Sequence, residues 1–472
     1  MKPARLLDGE RLALLQRRLG ALLASAPAHG LLSITLDLGS TSDDWLGNEV
    51  AQAQATYWAR PALGEHRLAL GRAMTFNTTG TARFAALQAA FTGLVPVWLH
   101  DDSDRTGTLP AAHIGFAFAD EGPGDWPNAR LVVPAVLLQS QAGRCTATFS
   151  CAVCDGETAL DNWRQALQPV PAAHHVPTRP SELLRRSSLL ADRAFVARAH
   201  AALAGIAAGQ LEKVVLTRSV LFDAAQSIAI APLLAALHDA HPECAIYGTA
   251  QHGQYLLGAT PERLVALKNG MVRADALAGT AWPSNASPSD QPGSLDLHDD
   301  KNSREQQLVV DAVRAALTPL CISMAPPEAP EIMQLRGLQH LRSGIAGQVR
   351  HGVGLFDLIA ALHPTPAVGG TPRTAASHWL QAHGEQRGAW YTGGVGWIDR
   401  AGDGEVAVAL RCARIIGTQA ELFAGAGIVA GSSPLQELAE TEAKLGTMID
   451  ALRHALPLGR PAGAAASRTG TE

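Results

Sequence analysis

The fold is indicated most directly by residues 256–278, which read Leu256-Leu-Gly-Ala-Thr-Pro-Glu-Arg-Leu-Val-Ala-Leu-Lys-Asn-Gly-Met-Val-Arg-Ala-Asp-Ala-Leu-Ala278. Two apolar runs flank Asn269-Gly270, a pair that supplies the positive φ angles of a tight hairpin turn. The stretch therefore predicts two antiparallel strands, one from Leu256 to Leu267 and the other from Met271 to Ala278.

A proline-fixed turn interrupts the first of these runs at Pro261-Glu262. Such a turn can hold Glu262 at the wall of a cleft, where desolvation keeps a carboxyl protonated and able to act as a general acid. An ordinary solvated glutamate in a turn is the equally weighted alternative.

Strand-like and helix-like patterns alternate on both sides of this hairpin. The predicted helices are 12–23, 192–208, 303–317 and 435–456. The other predicted strands are 31–38, 132–138, 146–153, 213–222, 406–416 and 421–424. A final segment, 457–472, is rich in Gly, Ala, Ser and Thr and is predicted to be a disordered tail.

Composition narrows the class of protein. The chain has 472 residues, 47% of them hydrophobic, and a formal charge of −5. This charge disfavours a nucleic-acid binder, which would carry a basic surface. The first residues lack the apolar stretch of a secretory signal, and no uncharged apolar run reaches membrane-spanning length. A cytoplasmic location is the expectation.

A lysine opens the predicted strand 213–222. Period two places Lys213, Val215 and Thr217 on one face of the strand. A lysine buried at this position can lose its proton readily and serve as a base. On the residues alone, a lysine that reaches solvent from an edge strand is the favoured alternative.

Carboxylates recur on two predicted helices. Glu305 shares a face with the apolar residues that follow it, and Glu437, Glu440 and Lys444 lie on one side of the last helix. Carboxylates from two facing helices would suit Mg²⁺, which takes hard oxygen ligands and retains waters. Taken alone, solvated helix faces are the more common explanation.

A glycine-rich run, Phe423-Ala-Gly-Ala-Gly-Ile-Val429, precedes the last helix. The backbone at Gly425 and Gly427 can approach an anion closely, and Arg411 on the preceding strand can pair with a carboxylate. A plain glycine-rich turn with a surface arginine is the alternative, and on these residues alone the turn is the favoured prediction.

Together these features resemble the chorismate-utilising enzymes, and most closely the isochorismate synthases of siderophore and salicylate pathways. Seven ordered motifs carry the resemblance, strongly over residues 190–455 and weakly over 30–175. They are Lys213-Val-Val-Leu-Thr-Arg, Leu257-Gly-Ala-Thr-Pro-Glu-Arg-Leu, Leu277-Ala-Gly-Thr, Leu362-His-Pro-Thr-Pro-Ala-Val-Gly-Gly, Gly394-Val-Gly-Trp, Leu410-Arg-Cys-Ala, and Phe423-Ala-Gly-Ala-Gly-Ile-Val through Glu437-x-x-Glu440-Thr-x-x-Lys444.

The resemblance implies an α/β (α+β) fold, a large sandwich of antiparallel sheets flanked by helices, with residues 1–456 as a single catalytic domain. It also implies roles: Lys213 as the base that activates water, Glu262 as the acid, and Glu305 and Glu440 as Mg²⁺ ligands with Glu437 lining the same site. The substrate-binding positions that it implies are Thr280, His363, Tyr391, Arg411, Gly425, Gly427 and Lys444.

The implied activity is a magnesium-dependent isomerase that converts chorismate to isochorismate in a monomer, with a possible downstream lyase. Ala278 stands where aminodeoxychorismate synthases carry a nucleophilic lysine, which removes that chemistry. Two alternatives stay open: a salicylate synthase that also eliminates pyruvate, and a chorismate-binding paralogue without turnover. The helix segment Lys301-Asn-Ser-Arg-Glu-Gln306 departs from the family pattern around Glu305, which puts the tuning of the metal in doubt.

Overall fold

The structure is a computed structural model that describes residues 6–40, 48–121, 124–168, 183–281, 300–335 and 338–456. The predicted tail, 457–472, lies outside the described residues. Within the described ranges, no helix combines the length and the apolar character needed to cross a membrane.

The described residues contain a helix or strand at every predicted position, together with helices and strands that were not predicted. The helices are α1 (Gly9–Ser25), α2 (Arg83–Leu94), α3 (Ala159–Ala166), α4 (Leu189–Ala207), α5 (Ile230–Ala240), α6 (Asp300–Leu317), α7 (Leu355–Leu362), α8 (Arg373–Ala382) and α9 (Pro434–Ala455). The strands of the first half are β1 (Leu31–Gly39), β2 (Thr56–Arg60), β3 (Glu65–Leu70), β4 (Met74–Thr78), β5 (Trp98–Asp101), β6 (Ala111–Phe116), β7 (Ala129–Val133), β8 (Val136–Gln141), β9 (Arg144–Ala152) and β10 (Leu183–Arg185). Those of the second half are β11 (Lys213–Ala224), β12 (Ala245–Gln251), β13 (Gln254–Thr260), β14 (Arg263–Lys268), β15 (Met271–Ala281), β16 (Cys321–Met324), β17 (Glu331–Leu335), β18 (Leu338–Val349), β19 (Gly370–Thr371), β20 (Gly394–Asp399), β21 (Gly404–Val408), β22 (Cys412–Ile416) and β23 (Gln419–Val429).

Two large sheets organise the described residues, and every pair of neighbouring strands in these ranges is antiparallel except β1 with β5. The first sheet has the order β10-β11-β23-β22-β13-β12-β2-β3-β8-β9-β1-β5, with β19 beside β11. The second has the order β16-β18-β15-β14-β21-β20-β6-β7-β4, with β17 beside β18. The expected sandwich of antiparallel sheets is confirmed.

Helices cover the outer faces of both sheets. Apolar residues of α1, α3, α5 and α9 pack on the first sheet in one hydrophobic core, and those of α2, α6 and α7 pack on the second sheet in another. Helices α4 and α8 cover the end of the first sheet formed by β11 and β23. A smaller aromatic cluster, which includes Trp58, Tyr247 and Trp390, lies between the sheets. The chain therefore forms four layers, with the sheets inside.

Three stretches that were each predicted as one strand instead cross from one sheet to the other. Residues 256–267 break at Pro261-Glu262 into β13 and β14, and residues 406–416 break before Arg411 into β21 and β22. Residues 132–138 break at Pro134 into β7 and β8. Proline removes a backbone donor, and Arg411 has a φ of 48°, so neither residue can continue a regular ladder. The hairpin at Asn269-Gly270 is confirmed, with φ angles of 50° and 74°.

The glycine-rich run is a strand and not a turn. Gly425 and Gly427 lie inside β23, where they pair with Thr217 and Val215 of β11. β22 pairs with β23 only as far as Leu422, so β22 does not cover the part of β23 that carries the glycines. A turn prediction failed here because glycine is depleted in strands unless another group must approach the backbone closely.

Candidate active site

A cavity of about 80 Å³ lies between the two sheets, at the points where the chain crosses from one sheet to the other. The side of α6 and the side of α9 close it. It is bordered by Lys213, Val215, Pro261, Glu262, Leu277, Ala278, Glu305, His340, Ala367, Val368, Tyr391, Thr392, Leu410, Arg411, Phe423, Ala424, Gly425, Gly427, Glu440 and Lys444. Nine of the twelve predicted site residues are in this set, although they are scattered over more than 230 positions of the sequence.

Lys213 opens β11 on the face that looks into the cavity. Its neighbours Val214 and Leu216 face α4 and α8, which confirms the predicted alternation. The lysine side chain is 1% exposed, and its Nζ donates to Oε1 of Glu305 at 2.7 Å. The base predicted on a strand and the carboxylate predicted on a helix are thus in direct contact.

Glu262 lies at the crossing between β13 and β14 and is 3% exposed. Its backbone is fixed from two sides, because its carbonyl accepts from the amide of Val408 and its own amide donates to Oγ1 of Thr260. Burial, together with the charge of Asp275, raises the pKa of Glu262 to about 8. A carboxyl with this pKa stays protonated at neutral pH and can donate a proton.

Arg411 lies at the matching crossing between β21 and β22. It is 8% exposed, and one of its guanidinium NH₂ groups contacts Nε2 of His340 at 2.7 Å. Because the guanidinium can only donate, Nε2 of His340 accepts and the imidazole orients the arginine. Burial lowers the pKa of Arg411 from its usual value, but an arginine remains charged at neutral pH.

On α9, Lys444 and Glu440 face the glycines of β23. Nζ of Lys444 donates to Oε1 of Glu440 at 2.5 Å and to the carbonyl of Gly425 at 3.1 Å. A Cβ added to Gly427 would lie 2.8 Å from Oε1 of Glu305 and 2.9 Å from Cε of Lys213. Gly427 is therefore what lets the lysine–glutamate pair lie directly against the strand.

Three predicted site residues are not among those that border the cavity. Glu437 is buried on α9, one turn before Glu440. Thr280 lies on β15 opposite His340, and its side chain is outside the described residues. His363 is 1% exposed among the rings of Phe84, Phe116 and Phe118.

His363 was predicted as a substrate-binding position in a segment that lines the ring, and the structure places its side chain away from the cavity. Its Nε2 contacts the carbonyl of Phe118 at 3.1 Å, and burial lowers the pKa of the imidazole to about 3. Phenylalanine rings enclose the side chain, so the segment that follows His363 reaches the cavity through Ala367 and Val368 instead.

Several cavity residues were not predicted. His340 is a single histidine in a strand of alternating residues, a pattern that fits a buried structural histidine equally well. Val368 and Thr392 belong to loops, where no periodicity points to one face. The replacement of a nucleophilic lysine by Ala278 was predicted, and Ala278 does border the cavity.

The carboxylates of the cavity are hard oxygen donors carried by separate elements, Glu305 by α6 and Glu440 by α9. Within the described residues, one group of three potential ligand side chains has its donor atoms within 4.8 Å of one another, and it lies elsewhere, at His241, Glu243 and Cys244. Those three follow α5 in a tight turn in which burial raises the pKa of the Cys244 thiol. A protonated thiol is a poor metal ligand.

Comparison with known proteins gives one consistent result. The sequence profile of the family described as "Chorismate binding enzyme" matches residues 22–453. Isochorismate synthase MenF of Bacillus subtilis is 33% identical over 352 residues, which cover 73% of this chain and 74% of that protein. The salicylate biosynthesis isochorismate synthase of Pseudomonas aeruginosa is 31% identical over 415 residues, or 85% of each chain.

Two solved structures have a fold similar to that of this chain. MenF, the menaquinone-specific isochorismate synthase from Escherichia coli, aligns with a TM-score of 0.72 at 25% identity and covers 93% of this chain and 99% of that chain. Anthranilate synthase component I from Streptococcus pneumoniae shares the fold, with a TM-score of 0.63 at 20% identity over 82% of this chain and 92% of that chain.

Proposed function

Because this chain belongs to the chorismate binding enzyme family, we propose that it isomerises chorismate to isochorismate with the help of Mg²⁺. The observation that carries the proposal is the convergence of Lys213, Glu262 and Arg411 on one cavity between the sheets. The names of the two relatives compared above support the same reaction for this chain.

The charges of the cavity suit a substrate with two carboxylates. With Glu262 protonated and Lys213 left to act as the base, Arg411 and Lys444 are the cationic groups that face the substrate carboxylates. Arg411 offers a planar pair of donors to one substrate carboxylate. The second substrate carboxylate can bind Lys444 and the backbone of β23 at Gly425 and Gly427, which β22 does not cover.

The proposed reaction exchanges one hydroxyl for another. Water adds at ring C2 while the hydroxyl at C4 departs and the ring double bonds shift, so no atom is gained or lost overall. Lys213 accepts a proton from the attacking water, and Glu262 donates a proton so that the departing hydroxyl leaves as water. Both side chains are almost fully buried, which excludes competing solvent from these proton transfers.

The carboxylates of Glu305 and Glu440 fit Mg²⁺ by donor type, since this ion is usually held by one or two carboxylates together with waters. Each carboxylate also accepts a hydrogen bond from a lysine Nζ, Glu305 from Lys213 and Glu440 from Lys444. When bound, Mg²⁺ would supply positive charge that neutralises a substrate carboxylate. Glu437, one turn away on α9, stays a predicted ligand.

The test is a product assay on the full-length chain. Purified protein is incubated with chorismate, with Mg²⁺ or with excess chelator, and the products are separated by chromatography. We expect isochorismate only in the presence of Mg²⁺, and none from Lys213→Ala, which removes the base. The exposed variant Lys268→Ala serves as the matched control and should keep wild-type turnover.

Other outcomes would replace the proposal. Salicylate and pyruvate formed without an added lyase would identify a salicylate synthase, and chorismate binding without turnover would identify a non-catalytic paralogue. Undiminished turnover with chelator would refute the role of Mg²⁺. A cytoplasmic monomer that passes its product to a separate lyase belongs to the same proposal.

A further inference from the structure

Arg387 lies behind the cavity wall and binds three segments that form it. The side chain is 3% exposed and does not itself border the cavity. Its guanidinium donates to the carbonyl of Val368 at 2.7 Å, to Oγ1 of Thr392 at 2.8 Å and to the carbonyl of Val215 at 3.0 Å. All three acceptors belong to residues that border the cavity.

These acceptors come from different parts of the chain. Val215 lies on β11, two residues after Lys213 on the same face, whereas Val368 belongs to the loop between α7 and β19. Thr392 follows Tyr391, a predicted substrate contact, in the loop before β20. One side chain thus joins the strand of the base to two loops that face the substrate.

Thr392 has a backbone conformation that needs such support. Its φ is 60°, and a β-branched residue in the left-handed region is a genuine outlier. A conformation of this kind costs on the order of 1–3 kcal/mol and persists only where the surroundings fix it. Here the amide of Thr392 donates to the carbonyl of Ala409 at 2.9 Å, and Arg387 holds the hydroxyl.

The charge and plane of Arg387 are themselves fixed. Its Nε lies 3.5 Å from Oε1 of Glu385, a carboxylate whose side chain is 2% exposed. The same oxygen accepts from the amide of Thr217 at 2.8 Å and from its hydroxyl at 2.5 Å. The guanidinium also lies 3.6 Å from the centre of the Phe118 ring. A lysine could keep the charge, but its single ammonium nitrogen could not replace the two guanidinium nitrogens that reach these acceptors from different positions.

We propose that Arg387 is a positioning residue for the isomerisation, which sets the distance between Lys213 and the face of the cavity formed by Val368, Thr392 and Tyr391. The inference rests on the proposed function. Arg387 touches neither the substrate nor the reacting atoms. It acts by fixing the three segments that border the cavity. A displacement of about 1 Å in such a wall can lower turnover by roughly 100-fold.

The experiment compares Arg387→Lys and Arg387→Ala with the wild type. The matched control is Arg414→Lys, because Arg414 borders the same outer cleft as Arg387 but pairs with Glu421 at 2.6 Å. We expect kcat to fall about 100-fold in Arg387→Ala and at least about tenfold in Arg387→Lys. The Tm of Arg387→Lys should stay near that of wild type, and the control should retain its kcat.

Chemical rescue separates positioning from general loss of structure. Arg387 borders a cleft of about 580 Å³ on its outer side, through which free guanidinium can reach the space left in Arg387→Ala. We expect guanidinium chloride, well below denaturing concentrations, to restore part of kcat in this variant. Sodium chloride at equal ionic strength should not restore the kcat of Arg387→Ala. Guanidinium chloride should not raise the kcat of Arg387→Lys.

Hydrogen–deuterium exchange gives a readout that does not depend on the reaction. Segments 363–371 and 385–393 should exchange faster in Arg387→Lys than in wild type, and at the wild-type rate in Arg414→Lys. A wild type that forms no isochorismate would refute the proposed function, and the exchange data would still test the positioning role. Wild-type kcat or unchanged exchange in Arg387→Lys would overturn the inference, even if Arg387→Ala failed to fold.

Discussion

At the scale of single residues, the most informative group is the carboxyl of Glu262. Its pKa is raised to about 8 from a usual value of 4.5, mainly by burial. Between these two values the folded protein holds a proton at Glu262 that the unfolded chain has released. The folded state therefore loses stability at this residue as pH rises from about 4.5 to about 8, at ~1.4 kcal/mol per pH unit.

Glu262→Gln removes this penalty because the amide does not ionise. We expect the Tm of the variant to match that of wild type near pH 5 and to exceed it increasingly up to pH 8 or 9, while turnover is lost with the acid. Thermal unfolding at pH 5, 7 and 9 measures the difference. Glu157→Gln, at an exposed glutamate in a turn, is the matched control and should show no such trend.

The same pKa sets the alkaline limit of activity. A general acid must be protonated, so kcat/KM should fall as pH rises through about 8. A pH profile that stays flat to pH 10 would contradict the assignment of Glu262 as the acid.

At the scale of elements, the hairpin and the helices α1, α4, α6 and α9 could be predicted from the sequence. The described helices α2, α3, α5, α7 and α8 and the crossings between sheets were not predicted. The run of apolar residues continues through Pro261 and through Arg411, because most residues on both sides of each crossing are buried. A local pattern reports burial and not the identity of the neighbouring strand. The glycines of β23 were predicted as a turn for a related reason. Glycine is needed at Gly427 because the side chain of Lys213, on another strand, lies directly against it.

The residues of the candidate site also fall into those that could be predicted from the sequence and those that could not. Lys213, Glu262 and Arg411 could be predicted because each stands beside a visible signal: a strand start, a proline turn, a glycine-rich neighbour. His340 and Arg387 could not be predicted, because their roles depend on distant residues. His340 contacts Arg411, 71 positions away, and Arg387 contacts Val215, 172 positions away.

The requirement for glycine on β23 can be tested by comparison with a glycine on α9. Gly427→Ala places a methyl group within 3 Å of both members of the Lys213–Glu305 pair, so we expect a loss of turnover of about 100-fold from the displaced base. Gly446→Ala, on the adjacent helix, meets no atom within 4 Å. Alanine should stabilise this helix by about 0.5–1 kcal/mol without reducing kcat. Steady-state kinetics and Tm of both variants are the measurements. Full activity of Gly427→Ala would contradict the requirement for glycine at this position.

At the scale of the whole molecule, the two halves of the sequence share both sheets. In the first sheet β12 pairs with β2, and in the second β20 pairs with β6. Residues from both halves also meet in the cluster between the sheets, at Trp58, Trp126, Tyr247 and Trp390. Neither half can bury its apolar faces without the other, which supports the prediction of one domain.

We therefore expect the full chain to unfold in one transition, with equal calorimetric and van't Hoff enthalpies. Residues 183–456 alone, although they carry every residue proposed to act in the reaction, should not give a cooperative transition. Differential scanning calorimetry of both proteins is the measurement. A folded and active 183–456 fragment would show that the first half is dispensable.

Ladder hydrogen bonds flank Glu262 and Arg411 on both sides, so these groups do not depend on a surface loop for their position. Loops around the mouth of the cavity can change in length and composition while the proton donor and the guanidinium stay where they are.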